Sequence, residues 1–204
     1  MRCCKKRPEW LTLLLTVLLG FTPLPSSAND AAPSVTMLFL HHYVEDETVL
    51  ADLRLRPRLS TAMLDALTHA IPLFFETRLR LVEHTRLSGL IPLQRTISET
   101  RFSLRLDYLP EKRQWRLLNI DSGRVRHDDL LDEALETLGT YTGIPVASMT
   151  QLHPGIAYTI EARFRLNRNR LPAPLWLKSL GDRNWQLDSG WYRTNVDPRK
   201  LWQR

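Results

Sequence analysis

The sequence predicts an α+β fold: a mostly antiparallel β-sheet, or two packed sheets, with two main helices. Four segments alternate apolar and charged residues with period two, the pattern of strands that are wet on one face. A parallel sheet covered on both sides would show continuous apolar runs instead. Two other stretches repeat apolar residues at helical spacing behind a polar or acidic start. Turn candidates stand between the strands, near Glu45-Asp46-Glu47 and near Pro110-Glu111-Lys112.

The first alternating strand is Asp52-Leu53-Arg54-Leu55-Arg56, returning from a hairpin turn at Glu45-Asp46-Glu47. Ser60 is an N-cap for a first helix whose apolar face carries Met63, Leu67, Ala70 and Ile71. Pro72 ends that helix, and Glu76-Thr77-Arg78-Leu79-Arg80-Leu81 alternates again. Arg101-Phe102-Ser103-Leu104-Arg105-Leu106-Asp107-Tyr108 is the third such strand, entering the turn at Pro110. A second helix is expected to open around His127-Asp128-Asp129, whose carboxylates suit a helix N-terminus. Its stripe is Leu130, Leu131, Ala134, Leu135 and Leu138, and Gly139 or Gly143 ends it. Glu161-Ala162-Arg163-Phe164-Arg165-Leu166 is the fourth alternating strand. A proline-bracketed connection, Arg170 to Trp176, leads to a short helix or turn. Trp185, Leu187, Ser189 and Trp191 share one face of an expected closing strand.

Hairpin, helix, Ile-Pro and strand occur in that order twice, with Ile71-Pro72 and Ile144-Pro145 in matching places. An internal duplication accounts for this. So does the rule that proline stops any helix returning to a sheet.

The Ile-Pro-Leu after a helix, the Arg170-Leu171-Pro172-Ala173-Pro174-Leu175 run and the Trp185-Gln186-Leu187-Asp188-Ser189-Gly190-Trp191 segment carry a resemblance. Across about residues 35–195 the chain resembles an uncharacterised proteobacterial family of exported proteins of this length, a domain of unknown function. Genes of that family sit near a ribosomal RNA methyltransferase and a nitrogen-regulation-type sensor histidine kinase. The resemblance therefore implies an inner-membrane sensor kinase as a candidate partner. It implies no catalytic residue.

Residues 1–28 read as a cleavable signal peptide. Arg2, Lys5, Lys6 and Arg7 precede an apolar run from Trp10 to Phe21, and Ser26 and Ala28 fill the small positions before the cut. The alternative is an uncleaved signal that anchors the protein in the inner membrane, although the run is short for a span. A short linker, 29–34, then leads to a single globular domain, 35–196, and a basic tail, 197–204, that carries Trp202. The expected compartment is the periplasm. Both cysteines, Cys3 and Cys4, precede the apolar run, so the processed chain holds no disulfide and no thiol nucleophile. Processing leaves 24 basic and 21 acidic residues, a net charge of +3, with 21 arginines against three lysines.

Arginine forks bind carboxylates and phosphates and stack on aromatic rings. Arg54 and Arg56, Arg78 and Arg80, Arg101 and Arg105, and Arg163 and Arg165 line the wet faces of the four strands. Two readings are open. The face holds an acidic partner or an anionic lipid or glycan; or Glu76, Asp107 and Glu161 interleave with the arginines and neutralise them. Nucleic acid is not expected as a partner in that compartment. The histidines show no chelating spacing, since His41 and His42 point to opposite faces of a strand. No nucleophile elbow or S-x-x-K pattern is present. No catalytic residue, metal or cofactor is expected, and the function expected is that of a non-enzymatic binding or interaction module. A ligand pocket between sheet and helices is the alternative, and a hydrolase ranks below both.

Overall fold

A computed structural model of the chain describes residues 32–87 and 90–196. The expected signal peptide and the basic tail with Trp202 lie outside the described residues. Strand β1 (Ser34–Glu45) and β2 (Thr48–Arg58) form a hairpin. Asp46 and Glu47 at its tip both take positive φ, 45° and 60°, which matches the right-handed twist of the strands they join. Helix α1 (Thr61–Thr68) follows, and the Ser60 hydroxyl accepts from the Met63 amide as its N-cap. A long hairpin comes next, β3 (Leu73–Leu87) with β4 (Ile91–Leu109). Then come β5 (Gln114–Asn119), β6 (Val125–Asp128), α2 (Leu131–Leu138) and β7 (Thr140–Ser148). Strand β8 (Ala157–Leu166), helix α3 (Ala173–Ser179) and β9 (Tyr192–Val196) complete the described chain.

Every strand pairing is antiparallel, in two sheets ordered β1-β2-β7 and β6-β5-β4-β3-β8-β9. The α+β architecture with two packed sheets is therefore as the period-two pattern indicates. The inner face of β2 (Val49, Ala51, Leu53, Leu55) shares one core with Leu73, Phe75, Leu79 and Leu81 of β3 and with Ile160, Ala162, Phe164 and Leu166 of β8. Phe75 stacks on Phe164 with ring centres 5.5 Å apart. Met63 and Leu67 of α1, and Ala134 and Leu138 of α2, join that core from their buried faces. Among the described residues no helix is long and apolar enough to cross a membrane.

Three local expectations are corrected. The second helix opens at Leu131, because His127 and Asp128 pair with Arg116 and Trp115 as strand β6. Asp132 and Glu133, not Asp128 and Asp129, supply the first-turn carboxylates. The closing strand is Tyr192–Val196, while Arg183–Trp185 is a 3-10 turn. Trp185 is buried in the core and Trp191 lies half-buried on the opposite, outer face of the large sheet, so the two do not share a face. Finally, the second hairpin-helix unit carries an extra strand, β6, and its Ile144-Pro145 lies inside β7 and not ahead of β8. The first unit begins in the small sheet and ends in the large one, whereas the second begins in the large sheet, passes through the small one in β7 and returns to the large one in β8.

Candidate functional site: an ion-paired sheet face and an open groove

The outer face of the large sheet collects most of the arginines. In register across β4, β3, β8 and β9, Arg80 stands between Glu99 and Glu161, and Glu161 faces Arg193. Glu76 faces Arg165, whereas Arg78 is flanked by Arg101 and Arg163. Like charges side by side are unfavourable, so each of these three arginines turns to a carboxylate. Arg78 bonds Glu76 and lies 3.8 Å from Glu99. Arg101 donates to Glu99 at 2.7 Å, and Arg163 grips Asp188 with two donors. Arg165 donates to Glu76 at 3.1 Å. Toward β5, Asp107 is held by Arg105 at 2.8 Å and by Arg116 at 2.9 and 3.0 Å. Trp191 lies across this lattice, its ring centre 3.9 Å from the Arg80 guanidinium.

The carboxylates sit deeper than the arginines. Glu161 is 1% exposed and accepts from Arg80 at 2.7 Å and from Arg193 at 2.6 Å. Burial alone pushes its pKa up, but the hydrogen bonds from Arg80 and Arg193 outweigh that and hold it below the usual carboxylate value. Glu76 behaves alike: burial opposes, and the bonds from Arg78 and Arg165 prevail and lower it. Asp188 is lowered against its burial by Arg163 and by the Gly190 amide. Arg78, Arg80, Arg101, Arg105, Arg163 and Arg165 are thus brought together on one face, each engaged by a carboxylate of the same chain. Arg116, Arg193, Glu99 and Trp191 complete the network and were not expected from the sequence. Glu99 and Arg193 fall outside the alternating segments, and the register that aligns them is a property of the sheet.

Arg54 and Arg56 lie elsewhere. They point outward from β2, in the small sheet, with Arg58 beside them. Arg54 bonds Glu136 of α2. The side chains of Arg56 and Arg58 are exposed and have no hydrogen bond or ion pair among the described residues. All three rim an open groove of about 710 Å³ between the β1-β2 hairpin and the two helices. Its floor is apolar: Leu38 of β1, Leu55 of β2, Leu59, Leu64 of α1, and Leu131 and Leu135 of α2. Asp132 and Glu136 stand on the helical side, and Glu136 is engaged by Arg54. The exposed Leu38 sits at an irregularity in the β1-β2 register between Met37 and Phe39, which turns successive apolar residues outward. Such a volume suits one small ligand, with apolar walls for a hydrocarbon and cations for a charged end.

Histidine chemistry does not converge. Among the described residues no group of three His, Cys, Asp or Glu side chains could hold a metal ion. His84 lies in β3 with Nε2 2.7 Å from the Thr159 hydroxyl. His127, expected in a helix cap, lies in β6. Tyr141 packs on Phe102 and shares a 2.6 Å hydrogen bond with Thr77; burial raises its pKa against that bond.

Two packed antiparallel sheets, short helices at the crossings and an arginine-carboxylate face define the class of protein. The chain belongs to the family catalogued as a domain of unknown function, DUF4390, whose model matches residues 34–195. No curated protein and no solved structure matches the chain.

Proposed function

We propose that the protein is a non-enzymatic binding module of the periplasm whose ligand is an anionic single-chain amphiphile held in the groove beside Arg56 and Arg58. The observation that carries this is the contrast among the candidate arginines. Those on the large sheet, and Arg54, are occupied by the chain's own carboxylates. Arg56 and Arg58 stand uncompensated at the edge of a leucine-lined groove. A carboxylate or phosphate head placed between them gains charge-assisted hydrogen bonds, while its alkyl chain covers Leu38, Leu64, Leu131 and Leu135. The signal-like residues 1–28 support the periplasmic setting.

The test is a fluorescence titration with a dansyl-labelled long-chain fatty acid. Saturable binding at one site is expected, weakened in Arg56→Ser/Arg58→Ser. A hydrogen bond to a charged group contributes about 1.5 kcal/mol or more, about tenfold per arginine. The double variant therefore binds about a hundredfold more weakly, with its thermal stability unchanged. Unaltered affinity in a folded double variant rejects the groove as the site. Reciprocally, Leu135→Asp abolishes binding by placing a carboxylate on the groove floor.

A further inference from the structure

A second feature is independent of the groove. Helix α3 buries Ser179 and packs the half-buried Leu175, one turn away, against the core, and leaves Trp176, Leu177 and, just past its end, Leu180 exposed. Leu177 is 61% and Leu180 54% exposed, with Trp176 at 37%. The helix is nonetheless fixed in place. Arg168 donates to the Ser179 carbonyl at 3.0 Å, Leu171 just ahead of the helix is buried, and the Trp176 amide bonds the Pro172 carbonyl at 2.8 Å. Three exposed cations lie in the same stretch of chain: Arg170, Lys178 and Arg183. Lys178 and Arg183 make no ion pair among the described residues, and Arg170 only leans on the Phe74 ring at 5.2 Å. The one carboxylate in the segment, Asp182, accepts from the Asn184 amide at 2.9 Å.

Another exposed apolar patch among the described residues is Leu90, Ile91 and Leu93, beyond the end of β8 on the long hairpin. It lacks an aromatic ring; of its neighbouring arginines Arg95 is paired with Glu83, and Arg86 makes no ion pair among the described residues. The α3 end couples tryptophan and leucine to uncompensated cations, the combination that seats a segment at a lipid-water boundary.

We propose that α3 docks the protein on an anionic bilayer surface, with Trp176, Leu177 and Leu180 at the acyl boundary and Lys178 and Arg183 against lipid phosphates. The test is co-sedimentation with phosphatidylglycerol-containing vesicles of the protein recovered after expressing the full chain in an exporting bacterial host. Binding is expected to anionic vesicles, to fall with added salt, and to be weaker on phosphatidylcholine alone. Lys178→Ser and Arg183→Ser each weaken it about fivefold, from about 1 kcal/mol per cation at such a surface. Leu177→Asp/Leu180→Asp removes it, and Leu90→Asp/Leu93→Asp, made as the control, leaves it intact. Circular dichroism and thermal melting confirm that each variant is folded. Equal binding by folded Leu177→Asp/Leu180→Asp, or loss only in the hairpin variant, overturns the proposal. So does a Leu177→Asp/Leu180→Asp variant that loses an in-cell crosslink to a membrane protein while its vesicle binding is unchanged, because the face then serves a protein partner.

Discussion

Glu161→Gln removes the negative charge from the most buried carboxylate of the sheet face. Glu161 is held by Arg80 and Arg193, and Arg80 in turn carries the Trp191 ring. Breaking a fully buried ion pair from one side costs about 3–5 kcal/mol. Here the released guanidiniums are 28% and 61% exposed and recover water, which lowers the expected cost to about 2–3 kcal/mol. In a domain of this size each 1 kcal/mol shifts the melting temperature by about 2–4 °C, so a drop of about 5–10 °C is expected at pH 7. The pH dependence follows from the direction of the shift. The folded pKa lies below the ordinary 4.5, so the charge contributes its full stability above that value. The contribution fades as the pH falls from 4.5 toward the folded value, and the gap between wild type and Glu161→Gln narrows over that range. Thermal melts at pH 7 and through the acid range measure both effects. A Gln variant that melts within 1 °C of wild type at pH 7, or a gap that widens in acid, refutes the reasoning.

Other variants separate the remaining contacts. Gly139→Ala places a Cβ 2.1 Å from the Leu55 carbonyl oxygen, on backbone that also bonds the Gly139 carbonyl at 2.8 Å, and is expected to cost about 3 kcal/mol in urea unfolding. Ser60→Ala removes both the α1 cap and the 2.7 Å bond to the Asn184 carbonyl, costing about 1–2 kcal/mol by the same measurement. Trp191→Leu forfeits the stack on Arg80, about 1 kcal/mol, and lowers the melting temperature by about 2–4 °C.

Much of the fold could be read from local pattern. The alternation in residues 52–56, 76–81, 101–108 and 161–166 is one face of each strand meeting the core, and the Ser60 cap is chemistry local to one turn. What escaped was set by pairing at a distance. Asp128 reads as a helix-opening acid, but its neighbours pair with β5 and draw it into a strand, where Arg126 satisfies one of its carboxylate oxygens. Trp191 shares the spacing of Trp185 and Leu187, which are both buried, yet Gly190, at a φ of 65°, turns the chain just before it and Trp191 lies on the outer face. The arginine-rich strands were visible as such. Which arginines would be neutralised depended on register: Glu161 lies opposite both Arg80 and Arg193 only because β3, β8 and β9 are neighbours. Arg54 and Arg56 belong to the other sheet, a partition that their sequence pattern does not encode.

On the proposed function, the paired arginines hold the sheet and Arg56 and Arg58 hold the ligand. One side-by-side titration of the dansyl fatty acid tests this most directly, using Arg56→Ser/Arg58→Ser against Arg101→Ser/Arg105→Ser. About a hundredfold loss of affinity is expected in the first and none in the second. Loss confined to the sheet-face pair, with the groove pair binding as wild type, would contradict it.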